Sequence, residues 1–228
     1  MYFKDIAIGI SSVADDSGKK FSKESSREFY LSVNHVMSIF LTILGAKASI
    51  GNLAKLNIVL GPKHPKEKHY WCSGGIGTLH YDESFCLEKF LTLTQSEREE
   101  SALNILIEAL GMIPNIDSQE FEKIKEIADK IRENKFKLEV ELKISKSSPN
   151  RQFKSVVSLM YKPYGFKLTA SLLHKSGKIQ EVVLDDNTYD YKVYQQCYKS
   201  KWTDERFDIF GRNGSLEYSI DWSRHTKS

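Results

Sequence analysis

The sequence contains none of the short motifs that identify a catalytic, metal-binding or nucleotide-binding site. It has no HExxH pair, no GxSxG nucleophile elbow, and neither GxxxxGK[ST] nor GxGxxG for binding phosphate. The one glycine-rich stretch, Ser73 to Gly77, precedes residues with strand character, so it predicts a hairpin turn and not a phosphate loop. These absences favour a non-enzymatic protein, and we expect no cofactor and no bound metal.

Cysteine is scarce. The chain has three cysteines, Cys72, Cys86 and Cys197, and no two of them form a CxxC pair. An odd number at wide spacing is not a disulfide framework, so we expect free, buried thiols in a reducing compartment. This cysteine usage predicts a cytoplasmic protein.

Long apolar runs are also missing. The longest, from Val36 to Leu44, is far shorter than the roughly 20 apolar residues that a membrane-spanning helix needs. The first ten residues lack a basic segment followed by an apolar stretch, which argues against a secretory signal. We therefore expect no membrane partner.

Charge of one sign is not in excess. The 33 basic and 30 acidic side chains give a formal net charge of +3. A dedicated nucleic-acid-binding protein usually carries a clear basic excess or stripe, so this balance permits nucleic-acid binding without favouring it. A chain of 228 residues with 40% hydrophobic side chains can bury a core without disulfides.

The first half of the chain has α+β character. Alternating isoleucines predict a strand over residues 3–10. A helix is predicted over about 25–44, with Ser25 and Glu28 as a capping box and Gly45 as its end. Its apolar face recurs at steps of three and four: Phe29, Tyr30, Val33, Val36, Met37, Phe40, Leu41 and Leu44.

A group of strands and then a group of helices follow that long helix. Strands over 56–60, 68–72 and 76–81 predict an antiparallel meander. Thr94 and Glu97 form a second predicted capping box, which opens a helix ending near Pro114, and a further helix covers about 118–134.

The second half reads as strands only. Phe136 to Ile144 alternates cleanly, strand-like runs follow to residue 222, and Asn213-Gly214 is a strong hairpin signal. We predict two domains: an α+β domain over 1–134, and an antiparallel β domain over 135–228 that packs against the first and forms a curved or barrel-like sheet.

One polar segment of the second half combines aromatic side chains with charges of both signs. Trp, Tyr and Arg are the usual anchors of protein interfaces, and the acidic side chains would repel a phosphate backbone. Trp202 has two alternatives, an exposed anchor or a core side chain. The predicted partner-binding residues are Tyr194, Tyr198, Trp202, Asp204, Glu205 and Arg206.

A second cluster of reactive side chains lies between residues 64 and 83. Such groups can act in acid–base chemistry if they meet in one cavity, although neighbouring lysines disfavour metal capture. The members of this alternative site are His64, His69, His80, Asp82 and Glu83.

The sequence as a whole favours a protein-binding protein of the toxin-immunity or inhibitor type. Such a protein occludes its partner, for example a toxin, in a stoichiometric complex and needs no chemistry of its own. One alternative is a hydrolase or nuclease that uses the cluster at 64–83. The other is a nucleic-acid-binding module that uses aromatic side chains of the C-terminal sheet.

Overall fold

The computed structural model describes residues 1–13, 20–188, 193, 195–203 and 205–226. The chain forms two compact units, Met1–Lys137 and Leu138–Ser228. Helices hold 31% of the residues and strands 36%, so the predicted α+β class is confirmed. None of the described helices has both the length and the apolar character needed to cross a membrane.

The N-terminal unit combines one sheet with four described helices. Its strands are β1 (Asp5–Ile10), β2 (Lys55–Leu60), β3 (Tyr70–Ser73) and β4 (Ile76–Asp82). Its helices are α1 (Lys23–Leu44), α2 (Leu87–Leu91), α3 (Gln95–Gly111) and α4 (Ser118–Glu133).

The sheet of the N-terminal unit is mixed, with the strand order β1-β2-β4-β3. The β3–β4 hairpin is antiparallel as predicted, and Gly74 and Gly75 supply positive φ angles of 58° and 81° in its turn. The predicted meander is wrong in one pairing, because β2 and β4 run parallel. After β2, the connection over residues 61–69 leads to the edge of the sheet, where β3 lies. The hairpin turn then brings β4 back to a position between β2 and β3.

Helices pack on one face of this sheet, α1 against β1 and α3 against β4. Alternate residues of the strands are buried on that face, among them Ile6, Ile8, Leu56, Ile58 and Leu79. Because α1 also packs against the other three helices, more of its surface is buried than the predicted stripe. Of the eight predicted apolar residues, Tyr30 is exposed and Leu41 half-buried, and the other six are buried.

The start of α1 differs from the prediction. Ser22 is the N-cap, and its hydroxyl accepts a hydrogen bond from the Ser25 amide at 3.0 Å. The predicted capping box of Ser25 and Glu28 is therefore wrong, and Glu28 instead accepts a hydrogen bond from Arg98 of α3 at 3.1 Å. The end at Gly45, with φ of 85°, agrees with the prediction, as does the capping box at the start of α3.

The C-terminal unit contains two antiparallel sheets. The larger consists of β5 (Leu138–Glu141), β6 (Lys146–Ser147), β7 (Phe153–Lys162), β8 (Gly165–His174) and β9 (Gly177–Thr188). The smaller consists of β10 (Lys199–Thr203), β11 (Arg206–Phe210) and β12 (Leu216–Asp221), followed by the short helix α5 (Ser223–Thr226). The predicted antiparallel character is confirmed, while the smaller sheet does not close into a barrel.

Two predicted strands of this half differ from the structure. The strand over Phe136 to Ile144 is shorter, because Lys135 and Phe136 adopt positive φ angles of 51° and 55° in a turn. The sequence pattern also predicts a strand over 189–198, of which half the residues are described. That prediction is wrong for the described half, since Val193, Gln195 and Gln196 are helical and Cys197 and Tyr198 form a bend before β10.

We predict that Phe40→Ala lowers the free energy of unfolding by about 3 to 5 kcal/mol, because it leaves a cavity in a packed core. Phe40 of α1 is fully buried, whereas Met112 is 55% exposed and serves as the control. Met112→Ala should change stability by no more than about 0.5 kcal/mol. Urea denaturation of the three proteins measures both values, and a loss below about 1 kcal/mol for Phe40→Ala would show that this face is not core.

Candidate functional site

The predicted partner-binding segment of the second half is divided between core and surface. Trp202 is 8% exposed, its ring packs edge-on against Phe207 with centroids 5.5 Å apart, and its Nε1 donates to the Lys146 carbonyl at 3.0 Å. The indole points inward because β10 alternates, with Ser200 and Trp202 on its buried face. The structure thus shows the core alternative for Trp202.

The other predicted partner-binding residues differ in their exposure. Tyr198 is 62% exposed, Arg206 is exposed and Glu205 is half-buried. Tyr194 and Asp204 lie outside the described residues. The exposed side chains that remain do not include the tryptophan expected to anchor a partner.

Of the five members of the alternative cluster at 64–83, three meet in space. His69 Nε2 lies 3.5 Å from Glu83 Oε1, and His80 lies beside them with its Nε2 3.5 Å from Glu67 Oε2. Lys63, whose side chain is 10% exposed, lies 4.0 Å from Glu83. The sequence reading left Glu67 out of the site and counted Lys63 only as a neighbouring charge. Lys63, Glu67, His69, His80 and Glu83 are named the His80 cluster here.

His64 and Asp82 serve the local backbone instead. The Nδ1 of exposed His64 accepts a hydrogen bond from the Lys66 amide at 3.3 Å. Asp82 Oδ1 accepts from the amide and the hydroxyl of Ser84, at 2.9 and 2.7 Å, which fixes the turn after β4. Neither contact joins these side chains to the His80 cluster.

The strand order explains why the His80 cluster forms. Because β2 and β4 are parallel, their carboxyl ends lie at the same edge of the sheet, and the residues that follow them meet there. Lys63 comes soon after β2 and Glu83 directly after β4. The carboxyl ends of parallel strands are also the usual place for ligands in open α/β sheets.

His80 itself is 5% exposed, and its Nδ1 has no hydrogen-bond partner among the described residues. Burial lowers the pKa of His80 below its ordinary value, and the charges of Lys63 and His69 lower it further. Glu67 and Glu83 raise this pKa, but burial is the largest contribution. The imidazole is therefore neutral at pH 7.

The geometry of the His80 cluster does not match a metal centre. Within the described ranges, no three His, Cys, Asp or Glu side chains are arranged to hold a metal ion. A neighbouring open groove on the same unit has no histidine in its lining and includes Tyr81, Glu100, Asn104 and Glu108. In that groove the Tyr81 hydroxyl donates to Glu108, and burial raises the pKa of Tyr81 well above its usual range.

The sheet of the N-terminal unit has a second face, opposite the one on which the helices pack. Three contacts identify it: Lys55 pairs with Asp5 at 2.7 Å, Asn57 donates to Thr78 at 3.4 Å, and the Trp71 and His80 rings lie 5.7 Å apart. A Cβ atom at Gly9 would meet no atom within 4 Å, so the space above this strand is open. We name this surface the open face.

The open face ends at an exposed edge. β3 is the edge strand, and three of its four residues are exposed, including Trp71 at 39% and Cys72. Ile76, across the hairpin turn, is 47% exposed. Met1, 59% exposed, lies against Gly75 of the same turn. Met1, Trp71 and Ile76 are named the hairpin patch.

The sequence analysis did not predict the hairpin patch as a binding surface. Its signal in the sequence is the period-two pattern of β1, β2 and β4, which assigns Ala7, Asn57, Thr78 and Ile76 to one face. That pattern does not show which face packs against the helices, because this packing is a contact between residues far apart in the sequence.

No protein-family model, no curated protein and no solved structure matches this chain. Function is therefore inferred from the geometry of the described residues alone.

The three cysteines are free, but they are not all buried as expected. Cys72 and Cys86 are exposed, and Cys197 is half-buried. Burial, together with the smaller effects of the nearby carboxylates of Glu217 and Asp185, raises the pKa of the Cys197 thiol to about 12. Since the thiolate is the reactive form, Cys197 is the least reactive of the three near neutral pH.

We predict that two thiols of the folded protein react rapidly with a thiol-specific dye and that the third reacts only after unfolding. Cys197→Ala should keep both fast thiols, and Cys72→Ala should lose one. A third fast thiol in the native protein would contradict the assignment of Cys197, and fewer than three thiols after unfolding would reveal a disulfide.

We predict that His80 makes the protein less stable as the pH falls. Because the pKa of His80 is lowered in the folded protein, the unfolded chain binds a proton at this histidine more readily than the folded chain does. The contribution of His80 to the free energy of unfolding is therefore present above the ordinary pKa of 6.5 and is lost as the pH falls below it. In urea denaturation, the stability advantage of wild type over His80→Gln should narrow from about pH 7.5 to about pH 5.5. The exposed His64→Gln control should follow wild type, and an advantage that widens at low pH would contradict this sign.

Proposed function

We propose that the protein binds another protein through the hairpin patch and acts as a stoichiometric inhibitor, of the toxin-immunity type, that occludes its partner. The observation that carries this proposal is Trp71, 39% exposed on an edge strand beside Ile76, 47% exposed. Exposed aromatic and large aliphatic side chains grouped at one site are typical anchors of protein interfaces.

The His80 cluster lies against the hairpin patch and helps to fix the position of Trp71. The Trp71 ring lies 5.7 Å from the ring of buried His80, at an interplanar angle of 32°. His80 is in turn held between Trp71 and Glu67. A side chain that is already ordered loses less conformational entropy when a partner binds, which increases affinity. An occluding protein needs this kind of preorganised complementarity and no catalytic group.

The burial of Trp202 moves the proposed contact from the second half of the chain to the first. Tyr198 and Arg206 remain exposed and are a secondary contact candidate. The three free cysteines, two of them exposed, favour a reducing compartment, and on that ground we propose a cytoplasmic location.

A hydrolase or nuclease is the second candidate, because a neutral histidine lies at the carboxyl ends of parallel strands. The His80 side chain is only 6% exposed, and its Nδ1 is enclosed, so it presents little surface to a substrate. This burial favours the supporting role over the catalytic one.

To test the proposal, tagged wild-type protein is crosslinked in its source cells and the complex is measured by native mass spectrometry. We expect a one-to-one complex whose partner loses its activity at equimolar protein. Trp71→Ser with Ile76→Ser should weaken the complex by about 2 kcal/mol or more, roughly 30-fold. Met112, 55% exposed, follows directly after α3, and Met112→Ser is the matched control, which should bind as wild type does.

Two outcomes would contradict the proposal. One is full partner binding by the double variant with its fold intact by circular dichroism. The other is turnover of a phosphodiester or carboxyl ester by purified protein that His80→Gln abolishes, which would support the hydrolase or nuclease.

A further inference from the structure

The backbone of β3 presents hydrogen-bonding groups on its outer side. In an antiparallel pair, residues alternate between those that exchange hydrogen bonds with the neighbouring strand and those that face away. The His80 amide donates to the His69 carbonyl at 2.8 Å, which fixes the phase of this alternation. Trp71 and Ser73 therefore pair with β4, while Tyr70 and Cys72 direct their amides and carbonyls outward.

This edge is short, at four residues, but it lacks the bulges, prolines and charged side chains that protect many edge strands from pairing. The β3–β4 register has no irregularity, and β3 contains no proline and no charged residue. The edge strand β9 of the other unit differs, because its pairing with β8 shows three register shifts and it carries the Lys178–Glu181 ion pair. Bulges and charges are among the devices that keep an edge from accepting another strand. Among the described residues, no strand other than β4 lies beside β3.

The charges next to this edge are unbalanced. Lys66 and Lys68 are exposed immediately before β3, and within the described chain neither forms an ion pair. Glu83 lies 4.0 Å from Lys63, whereas neutral His80, 3.5 Å from Glu67, offsets no charge there. Lysines 63, 66 and 68 still outnumber the glutamates at 67 and 83 by one, so the balance of these five charges is positive. The edge is thus complementary to a negatively charged partner.

From this combination we infer that the partner contributes an acidic extended segment, which pairs with the outer edge of β3 as an added strand. This inference rests on the proposed function and specifies its mode. Backbone hydrogen bonds to Tyr70 and Cys72 supply affinity, while Trp71 contacts an alternate side chain of the segment. Lys66 and Lys68 select acidic side chains and orient the added strand.

Peptide probes test the inference without the partner. The first probe is a fluorescent peptide of about ten residues that alternates glutamate with valine, a length typical of a strand. The second has the same sequence with every other backbone amide methylated, which blocks strand pairing and keeps the charge. The third replaces glutamate with lysine, and the fourth is a single-stranded DNA oligomer of equal charge.

We expect saturable binding of the first probe by fluorescence anisotropy, with the second and third at least ~10-fold weaker. Cys72→Pro removes an outward amide that β4 does not use, so the variant should fold and bind at least ~10-fold more weakly than Cys72→Ala. Lys66→Glu with Lys68→Glu should also lose the first probe.

Equal binding of the methylated probe would overturn strand addition, and this comparison holds even if Cys72→Pro does not fold. Tighter binding of the DNA oligomer than of the acidic peptide would overturn the choice of a protein partner. If no peptide binds while the cellular complex still depends on Trp71 and Ile76, the acidic strand is wrong and the proposed function stands.

Discussion

The N-terminal sheet buries one of its faces against helices, and this burial determines where the side chains of the site lie. Ile6, Ile8, Leu56 and Ile58 must face the helices, so the alternate residues of the same strands must face away. That requirement exposes the open face and assigns Trp71 and His80 to it. The parallel pairing of β2 with β4 then brings the His80 cluster together and leaves β3 at the edge.

Local signals predicted much of this architecture. The α+β class, the position of α1, the capping box at Thr94 and the β3–β4 hairpin all follow from patterns within a few residues of one another. These features depend on short-range hydrogen bonds and on the period of apolar residues, both of which the sequence displays directly. The predicted cap at Ser25 was wrong by about one helical turn, because the hydroxyl of Ser22 caps the helix instead.

Features that depend on long-range contacts could not be predicted in the same way. The direction of β4 relative to β2 depends on how the connection over residues 61–69 crosses the sheet, and a periodic pattern is the same for either direction. The indole of Trp202 is buried because it donates a hydrogen bond to the Lys146 carbonyl and packs against the Phe207 ring. The sequence around Trp202 does not predict these contacts. His69, His80 and Glu83 were predicted as candidates, but their convergence with Lys63 and Glu67 is a consequence of strand order.

Hydrogen exchange measured by NMR, with and without the captured partner, shows whether the partner binds along the outer edge of β3. In the free protein the Trp71 amide should exchange slowly, since it pairs with β4, while the amides of Tyr70 and Cys72 should exchange fast. Partner binding should slow exchange of the Tyr70 and Cys72 amides. Unchanged exchange at both amides when the partner is bound would contradict the assignment of the interface to β3.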